Sequence, residues 1–525
     1  MRETGTTRHQ SVRELSPQAR TAWLLRVSRL FAAGDVHVSQ TQLARAFPDE
    51  SHQLVTPGTI SRWESGRAPV PRWGAERYEQ LLGLPSGQLV AVIETMYRYA
   101  RGTPLPNWTA GHRPTPVDEV RIQGLLDRAL SEGVMSGPRW DELTRHLVTD
   151  HVLLPSRFWV DLTERLLVEM IISDGVRWHQ RYEAFNRLLG HPVGQFAAIA
   201  ACTSLGSDRS NQVVVETVSA LDFSSHRDAN SAVIRELREP SSGQAQLGAL
   251  LACFRKLQFR HFAESERRVL IQVLLELSRD SAGGATKVTA DQLLALAAQV
   301  ARSAPASGWR RPVLTGSSVE RELVVGRVVS IVNAWTRPEY ESFHDSVLPT
   351  LVEEMLYAAA WDVRLAAASF IAASPYRDGA ARALAEEFKS ARALLERLDW
   401  ALSLLSALRL VGRHQERRLL EQVVLYGGAA PAVEVSAAYS IGHIAPSADV
   451  NALRKAVTKH AVQWRTTRSA HSAAVLAGLS YSAGVSGRLD LLHAIARSQD
   501  VPRPLVPALR WWLGLPSWVL RSVAA

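Results

Sequence analysis

Thr56-Pro-Gly-Thr-Ile-Ser-Arg-Trp-Glu-Ser-Gly66 is the stretch that decides how the first hundred residues fold. Pro57 presets φ at a first helical position, where its missing N–H costs nothing, and Thr56 ahead of it is a capping residue. Gly66 stops the helix one turn after Trp63. The segment is therefore a short, stiff helix with both ends marked. Ile60 and Trp63 stand three apart and share an apolar face, which leaves Gly58, Thr59, Ser61 and Arg62 on or near the opposite side. That outward side is small, polar and cationic.

Upstream, Ser39-Gln-Thr-Gln-Leu-Ala44 has the composition of a preceding helix, with Ser39 as its cap, Gln40 at its start, and Leu43 and Ala44 pointing inward. Ala44 is small where two helices cross. Taken together, S-Q-x-x-L-A followed by T-I-S-x-W-E-x-G-R resembles the XRE or Cro-type (lambda-repressor-like) helix-turn-helix family, over roughly residues 17–86. The resemblance implies a double-stranded DNA partner, with the second of the two helices in the major groove. Arg donates two bonds to guanine there, and a Thr methyl touches thymine. By the same resemblance Gln40, Thr56, Gly58, Thr59 and Arg62 take base-proximal roles and Ser61 shares their face. Ser65 and Arg67, just past the helix, match phosphate-contacting positions. A homodimer on a partly palindromic site is also implied. The chain departs from the family at Phe47–Val55, which adds about six residues to what is elsewhere a short turn. The angle between the two helices is therefore not inherited.

The chain of 525 residues is 46% hydrophobic and 21% charged, an ordinary globular composition from which several domains and a large core are expected. A net charge of +9 favours an acidic partner and leaves nucleic acid and membrane surface both open. Lysine occurs only at Lys256, Lys287, Lys389, Lys455 and Lys459, so the basic charge is nearly all arginine, as a GC-rich genome also produces. Cys202 and Cys253 have no metal or disulfide spacing and read as buried thiols. Residues 1–16 carry Arg2, Arg8 and Arg13 without an apolar stretch, which describes a disordered basic arm and not a secretory leader. No run of 18 uncharged apolar residues exists, and even Pro504–Leu520 is interrupted by Arg510. A cytoplasmic, nucleoid-associated protein without membrane contact is expected. HExxH, Walker-type, GxGxxG and GxSxG patterns are missing, and the sixteen histidines show no metal spacing. No enzyme activity, catalytic residue, metal or cofactor is expected.

Ala19–Ala32 places Trp23, Leu24, Val27, Leu30 and Phe31 at helical spacing, and helices near 72–83 and 86–100 complete an N-terminal domain over 17–100. Residues 101–118 are rich in Pro and Gly and read as a linker. Beyond it the periodicity is helical nearly throughout. Ala366, Ala401, Ala437, Ala473 and Ala508 recur at steps of 35, 36, 36 and 35. Four residues after each stands an apolar partner: Phe370, Leu405, Ile441, Ala477 and Trp512. A second helix fits between each pair, which is the signature of a solenoid. Asp362-Val-Arg-Leu-Ala-Ala-Ala368 and Val435-Ser-Ala-Ala-Tyr-Ser-Ile-Gly442 resemble HEAT repeats. The expected architecture is thus all-α: a helix-turn-helix domain, a helical region over 119–300, a loop over 301–318 and a HEAT-like α-solenoid over 319–525. Trp511, Trp512 and Trp518 read either as an exposed partner patch on a terminal repeat or as its capping core.

This plan suits a bacterial transcription regulator whose solenoid binds an effector, protein or peptide on its concave side. The alternative is an interaction scaffold with a DNA-docking module, as in phage defence or plasmid maintenance.

Overall fold

The computed structural model describes residues 15–31, 38–47, 55–102, 108, 116–149, 154–280, 285–302, 313–336, 345–391, 397–444, 451–497 and 501–524. Regular structure among them is helical, apart from one isolated bridge between Leu314 and Ala358. The basic arm over 1–16 falls almost wholly outside the described residues, as do most of the 101–118 linker and much of the 301–318 loop.

Five helices open the fold: α1 (Pro17–Leu30), α2 (Gln40–Arg45), α3 (Pro57–Glu64), α4 (Arg72–Leu81) and α5 (Gln88–Arg101). The start of α5 is held by the buried carboxylate of Glu79. It accepts from the backbone N–H groups of Gly87 and Leu89 at 2.6 Å and of Val90 at 2.9 Å, three donors that a helix start otherwise leaves unsatisfied. Ten helices follow: α6 (Pro116–Ala129), α7 (Gly137–Thr149), α8 (Ser156–Ile171), α9 (Gly175–Leu189), α10 (Gly194–Ser207), α11 (Val214–Ser219), α12 (Arg227–Arg238), α13 (Gly243–Gln258), α14 (Glu264–Asp280) and α15 (Ala285–Arg302). They pack in overlapping steps, α7 on α9, α8 on α10, α11 on α13 and α12 on α14.

The rest is α16 (Ser318–Thr336), α17 (Leu348–Tyr357), α18 (Trp361–Ala373), α19 (Arg377–Ala391), α20 (Leu398–Val411), α21 (His414–Tyr426), α22 (Pro431–Ser440), α23 (Asn451–Thr467), α24 (Ala470–Val485), α25 (Leu489–Arg497), α26 (Leu505–Gly514) and α27 (Ser517–Ala524). Here the 35–36-residue period is realised as two rows. Helices α18, α20, α22, α24 and α26 pack successively along one row, and α19, α21, α23 and α25 along the other. Ala366, Ala401, Ala437 and Ala508 are buried, as are Phe370, Leu405, Ile441 and Trp512. The fourth unit is turned in register: Ala473 and Ala477 are half-buried, and Val475, Leu476 and Leu479 enter the core instead. The small residue at that crossing is Gly478. A Cβ there would stand 2.8 Å from the Ala438 Cβ and 2.9 Å from the Tyr439 ring, so the backbone itself must approach.

The repeat does not run out into solvent. Helix α27 packs on α8, and the Trp518 ring covers the Arg165 guanidinium at 4.4 Å. Arg181, fully buried, donates to the carbonyls of Met135 (3.0 Å) and Ser522 (2.6 Å). Trp512 Nε1 donates to Gln212 Oε1 at 2.7 Å, and Gln212 Nε2 donates to the Ala477 carbonyl at 2.9 Å. The aromatic run is thus a seam between the end of the repeat and the middle helices.

The five opening helices are also built into the body. Every residue of α5 from Leu89 to Ala100 is buried, because α1 and α4 cover one side and α9 and α18 the other. Arg20 forms a two-pronged bond to Glu354 at 2.6 Å, Arg98 pairs with Glu183 at 2.7 Å, and Arg187 pairs with Glu94 at 2.6 Å. Trp23 Nε1 donates to Asp345 at 2.9 Å. Within the expected linker, Trp108 is buried and donates to the Val70 carbonyl at 3.1 Å.

One residue makes this joint sensitive to acid. The His179 ring on α9 is hydrogen-bonded with Thr95 Oγ1 on α5 (3.2 Å) and Ser369 Oγ on α18 (2.9 Å). Burial lowers its pKa from the ordinary 6.5 to about 4. Between those values the unfolded chain takes up a proton that the folded one refuses, so stability is full above pH 6.5 and falls as the pH drops toward 4. Over that window the wild type should lose about 3 kcal/mol relative to His179→Gln. Denaturant unfolding of both proteins at pH 7 and pH 4.5 measures this difference, and parallel losses would assign the acid sensitivity elsewhere.

Candidate nucleic-acid interface

Both ends of α3 are written locally. Thr56 Oγ1 accepts from the Thr59 N–H at 3.1 Å, with Pro57 as the first helical residue. At the other end Gly66 adopts φ +70°. Its N–H bonds the Trp63 carbonyl (3.2 Å), the Arg67 N–H bonds the Arg62 carbonyl (2.9 Å), and Gln18 Nε2 donates to the Gly66 carbonyl at 2.8 Å. This is a Schellman stop anchored to α1.

The inner face of α3 holds Ile60 and Trp63, both buried. Helices α2 and α3 pack on one another with Leu43 and Ala44 in the shared core, so the long Phe47–Val55 segment leaves the pair intact. Phe47 contributes to that packing: its ring lies 6.0 Å from Trp63, 6.1 Å from Trp73 and 6.2 Å from Tyr78. Residues 48–54 lie outside the described residues.

Beneath this aromatic layer sits a carboxylate that sequence reading did not single out. Glu64 is buried and accepts from Arg29 Nε (2.6 Å), Arg29 Nη2 (2.7 Å), Gln40 Nε2 (2.9 Å) and the Tyr78 hydroxyl (3.0 Å). One side chain thereby ties α1, α2, α3 and α4 together. No local spacing announces it, since Arg29 is 35 residues away. The Glu in T-I-S-x-W-E was its only trace.

The outer face carries the residues expected to meet DNA. Gly58, Ser61, Arg62, Ser65 and Arg67 are exposed, and Thr56 and Thr59 are half-buried. The Thr56 and Thr59 hydroxyls lie 3.1 Å apart, and Arg62 Nη2 donates weakly to Thr59 Oγ1 at 3.3 Å. The structure therefore brings these seven residues to one surface. Gln40 is placed differently: its half-buried amide is committed to Glu64, so it holds α2 against α3. Arg45, at the end of α2, is a further exposed cation.

No protein-family model, curated protein or solved structure matches this chain. No helix among the described residues is long and apolar enough to cross a membrane. Among the described residues no group of three or more His, Cys, Asp or Glu is placed to hold a metal ion.

Proposed function

We propose that the chain is a sequence-specific DNA-binding transcription regulator that lays the outer face of α3 in the major groove. The observation that supports this most is the contrast between the two sides of one eight-residue helix. Its inner side is fixed by Ile60, Trp63 and Glu64, and its outer side is small, polar and cationic, with Pro57 at the helix start its exposed apolar residue. A rigid helix of that shape and charge fits a groove whose floor offers guanine acceptors and whose walls are phosphate. Arg62 reads bases, and Arg67 beyond the Schellman turn meets the backbone.

The two arginines separate the reading experimentally. A binding site is first selected from random duplexes with the full-length protein. On that site Arg62→Ala should cost roughly 1–3 kcal/mol of discrimination against scrambled DNA. Arg67→Ala should weaken both duplexes alike and reduce the salt slope by about one unit. A folded Arg62→Ala protein with an unchanged specificity ratio would exclude base reading by this helix. Stoichiometry from the same titrations reports whether two copies act together, as the family resemblance implies.

A further inference from the structure

The middle helices and the repeat do not meet everywhere. Between α5, α9, α11, α13, α18 and α20 lies a cavity of about 200 Å³. An apolar cavity of about 150 Å³ holds benzene, so this one has room for a ring with a short arm. Trp178 and Trp361 bring indole rings to its wall, and Val92, Met170, Leu365 and Leu410 bring apolar surface. The Trp178 ring is held in place by stacking on Tyr182 at 4.6 Å. Charged groups make up much of the remaining wall.

Those charges are matched among themselves. Arg255 pairs with Asp222 and stands 3.2 Å from Asp362. Arg409 stands 3.6 Å from Glu216. His443 Nδ1 is bonded to Asp174, and its Nε2 lies 3.0 Å from the Tyr481 hydroxyl. Arg377 donates instead to the carbonyls of Val411 (3.0 Å) and Gly412 (3.2 Å), at the negative end of α20. Every carboxylate lining the cavity thus faces a basic group of the same wall, and the remaining guanidinium meets a helix C-terminus. An ion entering here would shed its water without finding an opposite charge left over, and would disturb a pair already made. An uncharged guest avoids both.

We propose that this cavity binds an uncharged aromatic molecule, a single ring carrying a short hydrophilic arm. The ring lies against Trp178 and Trp361, where offset or edge-on aromatic contact adds to the burial of apolar area. The arm meets the polar part of the wall through neutral hydrogen bonds, as a few placed polar groups do in an otherwise apolar pocket. Because the walls come from α5, α9 and α18, the guest would press on the same helices that hold the opening five in place. Its role as an effector rests on the DNA-binding reading. Its binding does not.

The test uses purified full-length protein and three probes of one shape: neutral 2-phenylethanol, cationic 2-phenylethylamine and anionic 3-phenylpropionate. Calorimetry should show the alcohol binding saturably at one site with Kd at or below about 1 mM. Both ions should bind at least about tenfold more weakly. Ala372, half-buried on α18, lines the cavity, so Ala372→Phe places a ring inside it and should reduce the affinity for the alcohol by about tenfold or more. Either ion binding as tightly as the alcohol, no binding of the alcohol at about 10 mM, or a folded Ala372→Phe protein with full alcohol affinity would each overturn the proposal. If Ala372→Phe does not fold, the ranking of the three probes on the wild type still decides. DNA titrations with and without saturating alcohol are read separately: unchanged DNA affinity removes the effector role and leaves the ligand site standing.

Discussion

Glu64→Ala should destabilise the protein by about 3–5 kcal/mol and, on the proposed function, abolish DNA binding, though Glu64 makes no side-chain bond to the residues proposed to face the groove. The substitution leaves the Arg29 guanidinium, almost wholly inside the protein, without its two-pronged partner. It also strips the acceptor from Gln40 and Tyr78. Breaking a buried pair by removing one member costs far more than the pair's net contribution, because the orphaned charge stays desolvated. Against a total stability of about 5–15 kcal/mol that loss is large. Glu64→Gln, which retains the shape and an acceptor, should fall between. Chemical denaturation of the three proteins reads the stabilities, and duplex titration reads the consequence for α3. A Glu64→Ala protein with wild-type stability and wild-type DNA affinity would show that the four helices do not depend on this residue.

A fragment of residues 1–105 should fail to fold cooperatively. In sequence those residues look like a separable unit ending at a Pro and Gly-rich linker. In the structure four of their arginine or glutamate side chains have partners outside the fragment: Arg20 with Glu354, Arg72 with Asp141, Arg98 with Glu183, and Glu94 with Arg187. The fragment therefore forfeits the ion pairs that fix these helices against the rest of the protein. Exposure of the α5 surface that faces α9 and α18 adds to that loss. The measurement is a thermal melt followed by far-ultraviolet circular dichroism. A sharp transition near that of the full chain would mean that α1 to α5 are independent after all. Any assay of Arg62 and Arg67 accordingly belongs on the full-length protein.

What the sequence disclosed was what short spacing controls. Thr56, Pro57 and Gly66 mark the ends of α3 because capping is decided within four residues, and the alternation of the two helix rows follows from a period repeated along the chain. What it withheld depends on residues distant in sequence. Arg29 reaches Glu64 across 35 positions and Arg20 reaches Glu354 across 334, and neither distance leaves a pattern in a window. Gln40 read as a base contact because its position matched a motif, whereas its actual partner is chosen by the packing of α2 on α3. The turned register of α24 was hidden for the same reason. Counting alanines every 36 residues cannot reveal that Gly478 takes the crossing.

The bond between Arg181 and the Ser522 carbonyl also dictates an order of events during synthesis. The guanidinium emerges from the ribosome 341 residues before its acceptor exists. At about 5–20 residues per second that delay is on the order of tens of seconds. Throughout it the early helices expose cations and apolar faces whose cover has not yet been made. Contacts of such long range slow folding and leave partly assembled chains prone to association. The interval between those two residues is therefore the period in which association is most expected.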